Sequence, residues 1–266
     1  YIINGPVQSL YQYMYENNKC IHRDYQNLGV NGARSSSMAN QLIQTIARNS
    51  RIDHPIWGLW ELIGNDVCSG HPGTSHMTTP QEFYENNMRS FTYLDSVLPN
   101  GSRILTMGLA NGTILYNAMH DRIHPIGWLN QDVTYKALYD YLNCLLVSPC
   151  YGWMNSNATM REITQQRADE LSASLKNLTE TQQFENLTLH YIDCPLQEII
   201  DVWHEQGGET WQLIEPVDGF HPNQIANSLM ADVVWDTLQQ NMSWWIPPRN
   251  PFNEEITKRF GDQGGY

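Results

Sequence analysis

Apolar residues recur along the chain with two different spacings, and the alternation of those spacings predicts a layered α/β fold. Residues 38–48 (MANQLIQTIAR) place Leu42, Ile43 and Ile46 on one helical face. Residues 55–63 (PIWGLWELI) are almost continuously apolar and run into Gly64-Asn65-Asp66, the pattern of a strand buried on both faces. Helical spacing returns over residues 80–97, with Phe83, Met88, Phe91 and Leu94 as apolar positions. Residues 103–109 (RILTMGL) predict a second strand, followed by the turn-forming pair Asn111-Gly112. Residues 131–146 and 159–176 predict two further helices, the second capped by Asn157. Residues 187–192 (LTLHYI) predict a third strand and residues 196–204 a short helix. A final long helix is predicted over residues 223–238, with Ile225, Leu229, Val233 and Val234 inward. Strands separated by helices pair in parallel. Ligands of such sheets bind beyond the carboxyl ends of the strands, which here means Gly64 to Asp66, Leu109 to Thr113 and the residues after Ile192. The tail after Trp245, rich in Pro, Gly and polar residues, is expected to wrap the surface.

Composition narrows this picture. The chain has 266 residues, 41% hydrophobic and 16% charged, which is the balance of a globular protein with a sizeable core. No stretch reaches the ~20 consecutive apolar residues of a membrane-spanning helix. Fifteen Lys+Arg against 28 Asp+Glu leave a net charge of −13, which argues against nucleic acid as a partner because phosphate contacts need a basic face. The chain begins at Tyr1 with no basic, apolar leader ahead of it, so a processed or truncated product is expected.

The five cysteines, Cys20, Cys68, Cys144, Cys150 and Cys194, form no C-x-x-C pair. Their odd number leaves one thiol free or bonded outside the chain. Cys144 and Cys150 could close a short local loop, and several other pairings stay open. Six Asn-x-Ser/Thr sequons begin at Asn100, Asn111, Asn157, Asn177, Asn186 and Asn241, against roughly three at ordinary Ser/Thr frequencies. Sequons matter only in a secretory compartment, so the chain is expected to be secreted or lysosomal/vesicular. His71, His76, His120 and His124 have no closed metal-ligand spacing and read as solvated loop histidines.

Three motifs carry candidate chemistry. In Asp218-Gly219-Phe220-His221-Pro222, a carboxylate three residues ahead of a histidine can orient one ring nitrogen, leaving the other to act as general base. Pro222 suits the first turn of the helix that follows. Gly64-Asn65-Asp66 ends a strand, where Gly64 permits a sharp turn and the Asn65 amide can donate to a developing oxyanion. The segment 27–35 (NLGVNGARS) is a glycine-rich helix entrance whose free N–H groups favour an anion; Ser35, Ser36 and Ser37 read as helix caps.

In this order the three motifs resemble those of the SGNH (GDSL-type) hydrolase family. The resemblance implies a three-layer α/β/α fold with a parallel sheet. Carried over by position, it makes Gly32 a backbone donor and Asn65 a side-chain donor to an oxyanion hole. It makes His221 the general base and Asp218 its orienting carboxylate. Longer stretches look like the acyloxyacyl hydrolase branch of that family: HRDYQN from His22, IGNDVC from Ile63, LPNGS from Leu98, LNC…VSPC…GWM from Leu142, WQLIEPVDGFHPN from Trp211 and FGDQGG from Phe260. The resemblance runs from about Cys20 to the C-terminus. It implies an esterase releasing secondary fatty acyl chains from the lipid A of bacterial lipopolysaccharide, or from another acylated lipid. A saposin-like module or subunit, possible disulfide partner of this chain, is implied as well.

The block that should bear the nucleophile, a strand-to-helix turn like Gly-Asp-Ser, is missing. Ser9 lies in PVQSLYQ and Ser96 lies in a helical pattern after the glycine loop, so neither fits. The expectation is therefore a hydrolase domain over residues 1–245 without its first strand and nucleophile, followed by a tail over residues 246–266 that packs on it. Such a chain alone should be inactive and poorly stable, since His221 has no hydroxyl to deprotonate. No metal or cofactor site is expected within it, and the family's calcium-binding region should lie upstream. Two competing expectations are an SGNH carbohydrate acetylesterase and a non-enzymatic lipid-binding relative that has lost the serine.

Overall fold

The computed structural model describes residues 7–262. The first residue of the chain, the end of the FGDQGG motif and the end of the tail lie outside them. Two compact units are present, one made of Leu28–Cys194 with Pro216–Phe220, the other of the described parts of Tyr1–Asn27, Pro195–Glu215 and His221–Tyr266.

The larger unit is built on a parallel sheet in the order β1 (Trp57–Trp60), β2 (Ser102–Met107), β3 (Leu187–Ile192). Trp57 lies opposite Arg103, and Ser102 opposite Leu187. In chain order the helices are α1 (Leu10–Asn17) in the smaller unit, then six in the larger unit. These are α2 (Ser35–Asn40), α3 (Ile63–Val67), α4 (Pro80–Val97), α5 (Thr113–Met119), α6 (Tyr135–Cys144) and α7 (Ala158–Thr181). The smaller unit adds α8 (Leu196–Glu205), α9 (Gln224–Asn241) and α10 (Asn253–Phe260). The fold is α/β with a parallel sheet, as the alternation of strand and helix patterns predicts.

Local chemistry explains where the long helices start. Thr79 and Glu82 form a reciprocal capping box at α4, with Pro80 in the first turn, where its missing N–H costs nothing. The Asn157 side chain accepts from Thr159 N–H and caps α7, as expected. Helices α4 and α7 pack on one another, and α7 lies against β2 and β3. Phe83, Phe91, Leu94, Leu171, Leu175 and Leu178 fill this core. Within it the hydroxyls of Thr106 and Thr179 pair at 3.0 Å, so neither is buried unsatisfied.

Three element expectations are corrected. The apolar run 55–63 gives only a four-residue strand at the sheet edge, with Leu59 44% exposed. Burial on both faces belongs to β2, which is paired on each side. The 38–48 pattern breaks into α2, which begins earlier, and a 3-10 turn, Leu42–Thr45, with only Ile43 of its three apolar positions buried. On α9 the buried residues are Ala226, Ala231, Val234, Trp235 and Leu238; Ile225, Leu229 and Val233 are half-buried.

Inside the smaller unit α9 packs against α1 and α8. The Tyr13 ring stacks on Trp235 at 5.0 Å and its hydroxyl donates to Asp232 at 2.8 Å. Burial and the Asp232 bond raise the Tyr13 pKa to about 12. The tail forms α10 and is tied down by buried Asn253, which accepts from Lys19 N–H and donates to the carbonyl of Asn17.

Candidate active site

The glycine-rich loop and the Gly-Asn-Asp segment meet through their neighbours. Gly32 occupies an exposed turn with φ of +76°, a backbone state glycine adopts without strain, and Ala33 N–H closes the turn on the carbonyl of Val30. Three residues on, Ser35 is buried at the start of α2. Its N–H donates to Asp66 Oδ2 at 2.9 Å and its hydroxyl to Asp66 Oδ1 at 2.7 Å. The N–H expected to await an external anion thus binds an internal carboxylate, and Ser35 is a partner of Asp66 rather than a cap.

Asp66 is fully buried on α3, directly after Asn65, which is exposed. Gly64 is helical and would tolerate a Cβ, so the sharp turn expected there is a short helix instead. The Thr78 hydroxyl donates to Asp66 Oδ1 at 2.6 Å, and Thr78 N–H to the Asp66 carbonyl. Burial raises the Asp66 carboxyl above the usual range, with the Thr78 and Ser35 bonds and then Arg34 pulling the other way. Asn86 donates to the Ser35 hydroxyl at 3.0 Å, and Arg89 donates to Asn86 at 2.5 Å.

The far end of α3 is also anchored. Cys68 caps it and forms a disulfide with Cys150, 82 residues away in sequence. Of the pairings left open by the sequence, the local Cys144–Cys150 loop is not the one formed: Cys150 is buried beside Cys68, whereas Cys144 ends α6 in an exposed position. Arg34 adds a bond to the carbonyl of His76 at 2.8 Å.

Asp218 and His221 fall in different segments of the fold. Asp218 is half-buried in the turn Pro216–Phe220 of the larger unit, where its Oδ1 accepts from Phe220 N–H at 2.8 Å. Three side chains of the same unit hold that turn. Tyr135 donates to the Pro216 carbonyl at 2.5 Å, Tyr139 to the Gly219 carbonyl at 2.6 Å, and His124 Nε2 lies 2.8 Å from the Val217 carbonyl. Gly219 has φ of +63°, and a Cβ there would come within 2.6 Å of the Tyr135 ring.

His221 is exposed and opens the next segment of the smaller unit. Its carbonyl accepts from Glu215 N–H at 2.8 Å, and Pro222 bridges Ile214. Asn223 is the N-cap of α9, so Pro222 sits before the helix and not in its first turn as expected.

The four histidines read as solvated have distinct places. His71 and His76 are exposed, with ring centroids 4.8 Å apart, and His120 Nδ1 lies 3.0 Å from the Tyr116 carbonyl. His124 is buried and holds the Asp218 turn, which corrects its assignment to solvent. Among the described residues no group of three or more His, Cys, Asp or Glu could hold a metal ion.

The sequence did not mark Thr78, Tyr135 or Tyr139, and it suggested other roles for Ser35 and His124. Ser35 had a local signal, since it follows the glycine turn directly. The residues that hold the Asp218 turn had none, because the bonds from Tyr139 and His124 span 80 and 93 positions.

A parallel α/β sheet whose first strand leads into a helix bonded to the glycine turn agrees with a hydrolase of the GDSL type. The chain belongs to the GDSL-like lipase/acylhydrolase family, whose profile matches residues 4–234. It is similar to the acyloxyacyl hydrolase of Mus musculus and to that of Homo sapiens, each 46% identical over 260 residues, or 97% of this chain. The acyloxyacyl hydrolase of Oryctolagus cuniculus is 45% identical over the same length. The chain spans about half the length of these curated relatives, 45% in each case.

Proposed function

We propose that this chain supplies the base and the oxyanion donors of a serine esterase that releases secondary, acyloxyacyl-linked fatty acyl chains from the lipid A of bacterial lipopolysaccharide. The observation that carries the reading is the bonding of Ser35 to Asp66, which ties the Gly32 turn to the helix bearing Asn65 beyond the carboxyl end of β1. Gly32 N–H and the Asn65 amide then donate to the oxyanion that develops when the ester carbonyl becomes tetrahedral. His221 removes the proton of the attacking hydroxyl and returns it to the leaving alcohol, and Asp218 orients the imidazole.

The nucleophilic serine belongs, on this proposal, to the part of the relatives' length that this chain does not span. Its strand would pair with the outer edge of β1, which has a partner on one side only among the described strands. The chain by itself would then be inactive. The same absent part would carry the calcium-binding region and a saposin-like lipid module or subunit, disulfide-linked through a cysteine outside the Cys68–Cys150 bond.

An acylated-lipid substrate agrees with the apolar surface of the larger unit, where Ile126, Trp128 and Leu129 are 75%, 70% and 92% exposed. A secreted or lysosomal/vesicular location agrees with the sequons. Five of their asparagines are exposed, while Asn186 is half-buried and donates its amide to the Asp95 carbonyl.

The test is made in the complete protein. His221→Ala should abolish acyl release with folding intact, and Asn65→Ala should lower turnover on the order of 10²–10³-fold, the usual worth of one oxyanion donor. Undiminished turnover in either variant overturns the role given to that residue. Cleavage of acetylated sugars with no release from acyloxyacyl lipids would favour an acetylesterase instead.

A further inference from the structure

Resting on the oxyanion-hole reading of Gly32 and Asn65, we infer that Asp66 is a positioning residue that sets the spacing of those two donors. The argument is geometric. Each donor is one to three residues from a bonded partner: Asn65 precedes Asp66 directly, and Gly32 is followed after two residues by Ser35. Both carboxylate oxygens of Asp66 are used, Oδ2 by Ser35 N–H and Oδ1 by the hydroxyls of Ser35 and Thr78.

Both donors themselves lie at exposed positions, Gly32 in a turn and Asn65 on a five-residue helix. A helix that short contributes little rigidity of its own. Precision has to come from the buried side, and Asp66 is the side chain through which α2, α3 and the Thr78 segment are joined there. Asn86 and Arg89 of α4 extend the same network behind Ser35. A buried, fully bonded polar network of this kind specifies one arrangement, because breaking any member strands another in a low-dielectric interior.

Asp66 does not touch the expected site of the substrate carbonyl, so its effect must pass through the donors. Loosening them acts on the transition state, where the oxyanion exists, and leaves ground-state binding of the ester nearly unchanged. Asp66→Asn keeps the volume but replaces one acceptor oxygen by an NH₂ donor, which opposes a donor already present. Turnover should fall about 10- to 100-fold, the penalty for misplacing a catalytic group by around an ångström.

The experiment is a double-mutant cycle on kcat and KM in the complete protein, with a p-nitrophenyl ester of a medium-chain fatty acid. Asp66→Asn should lower kcat with KM unchanged, and its effect should shrink sharply when Asn65 is already alanine. An equal factor in both backgrounds, or a loss confined to KM, overturns the positioning role while leaving the oxyanion hole standing. If Asn65→Ala alone leaves kcat unaltered, the hole itself is wrong and the inference falls with it. Should Asp66→Asn fail to fold, Thr78→Val and Thr78→Ser keep the question open to refutation. The valine variant, lacking the hydroxyl, should lose kcat and the serine variant should regain it; equal kcat in the two would overturn the inference.

Discussion

The hydroxyl of Tyr139 lies in the core and donates to the carbonyl of Gly219, a residue whose φ of +63° places it where most side chains are strained. Burial raises the Tyr139 pKa, the neighbouring Tyr135 and Asp218 adding to the effect, so the phenol stays a donor throughout the neutral range. Tyr139→Phe leaves the Gly219 carbonyl without that donor and should cost about 1–3 kcal/mol, the price of an unmade buried hydrogen bond. Urea unfolding measures this, and wild-type stability would show that the bond is replaced. Asp66 makes a second prediction at this scale. Its carboxyl holds a proton more tightly in the fold than in the unfolded chain. The stability it contributes is therefore present below the ordinary aspartate value and is lost as pH rises through the higher folded value. The thermal midpoint of the wild type should decline across that window relative to Asp66→Asn; parallel pH profiles for the two would refute the shift. The four expected site residues could be named from the sequence because their motifs are short and ordered along the chain. Their supports could not, since Tyr139 or His124 becomes relevant only when a distant segment folds against it.

Among the elements, α3 shows how a short helix is made dependable. Its five residues cannot sustain themselves, and they are held by the Asp66 bonds on one side and by the Cys68–Cys150 disulfide at the end. Closing a separation of 82 residues should stabilise the fold by about 2–4 kcal/mol through restriction of the unfolded chain. Replacing both cysteines by alanine should lower the unfolding midpoint accordingly and make it insensitive to reductant; an unchanged midpoint would contradict this. The long helices α4 and α7 were legible because each is opened by a cap whose partners lie within three residues. Strand β1 and the 38–48 segment were misjudged for the opposite reason. An apolar run states that burial is wanted, but its pairing partners decide whether it becomes a central strand or an edge.

At the scale of the whole chain, the charge of −13 bears on the proposed lipid A substrate, which is itself anionic. Long-range repulsion should slow encounter with an anionic vesicle, and screening shortens its reach to about 8 Å at physiological ionic strength. Association of the complete protein with lipopolysaccharide micelles should therefore speed up as salt rises from low levels to physiological. A rate that falls with salt would mean that a basic surface outside this chain dominates the encounter. Strand and helix periodicity, the helix caps and the order of the Gly, Asn and Asp-x-x-His motifs were determined by the sequence alone, because each depends on residues near one another in the chain. Tertiary structure alone decided that Asp66 takes the N–H of Ser35, that Cys150 pairs with Cys68, that β1 is outermost among the described strands, and that His124 and two tyrosines hold the Asp218 turn. Each of these joins segments about 30 to 90 residues apart, and only the burial of a shared core brings such distant groups to bonding distance.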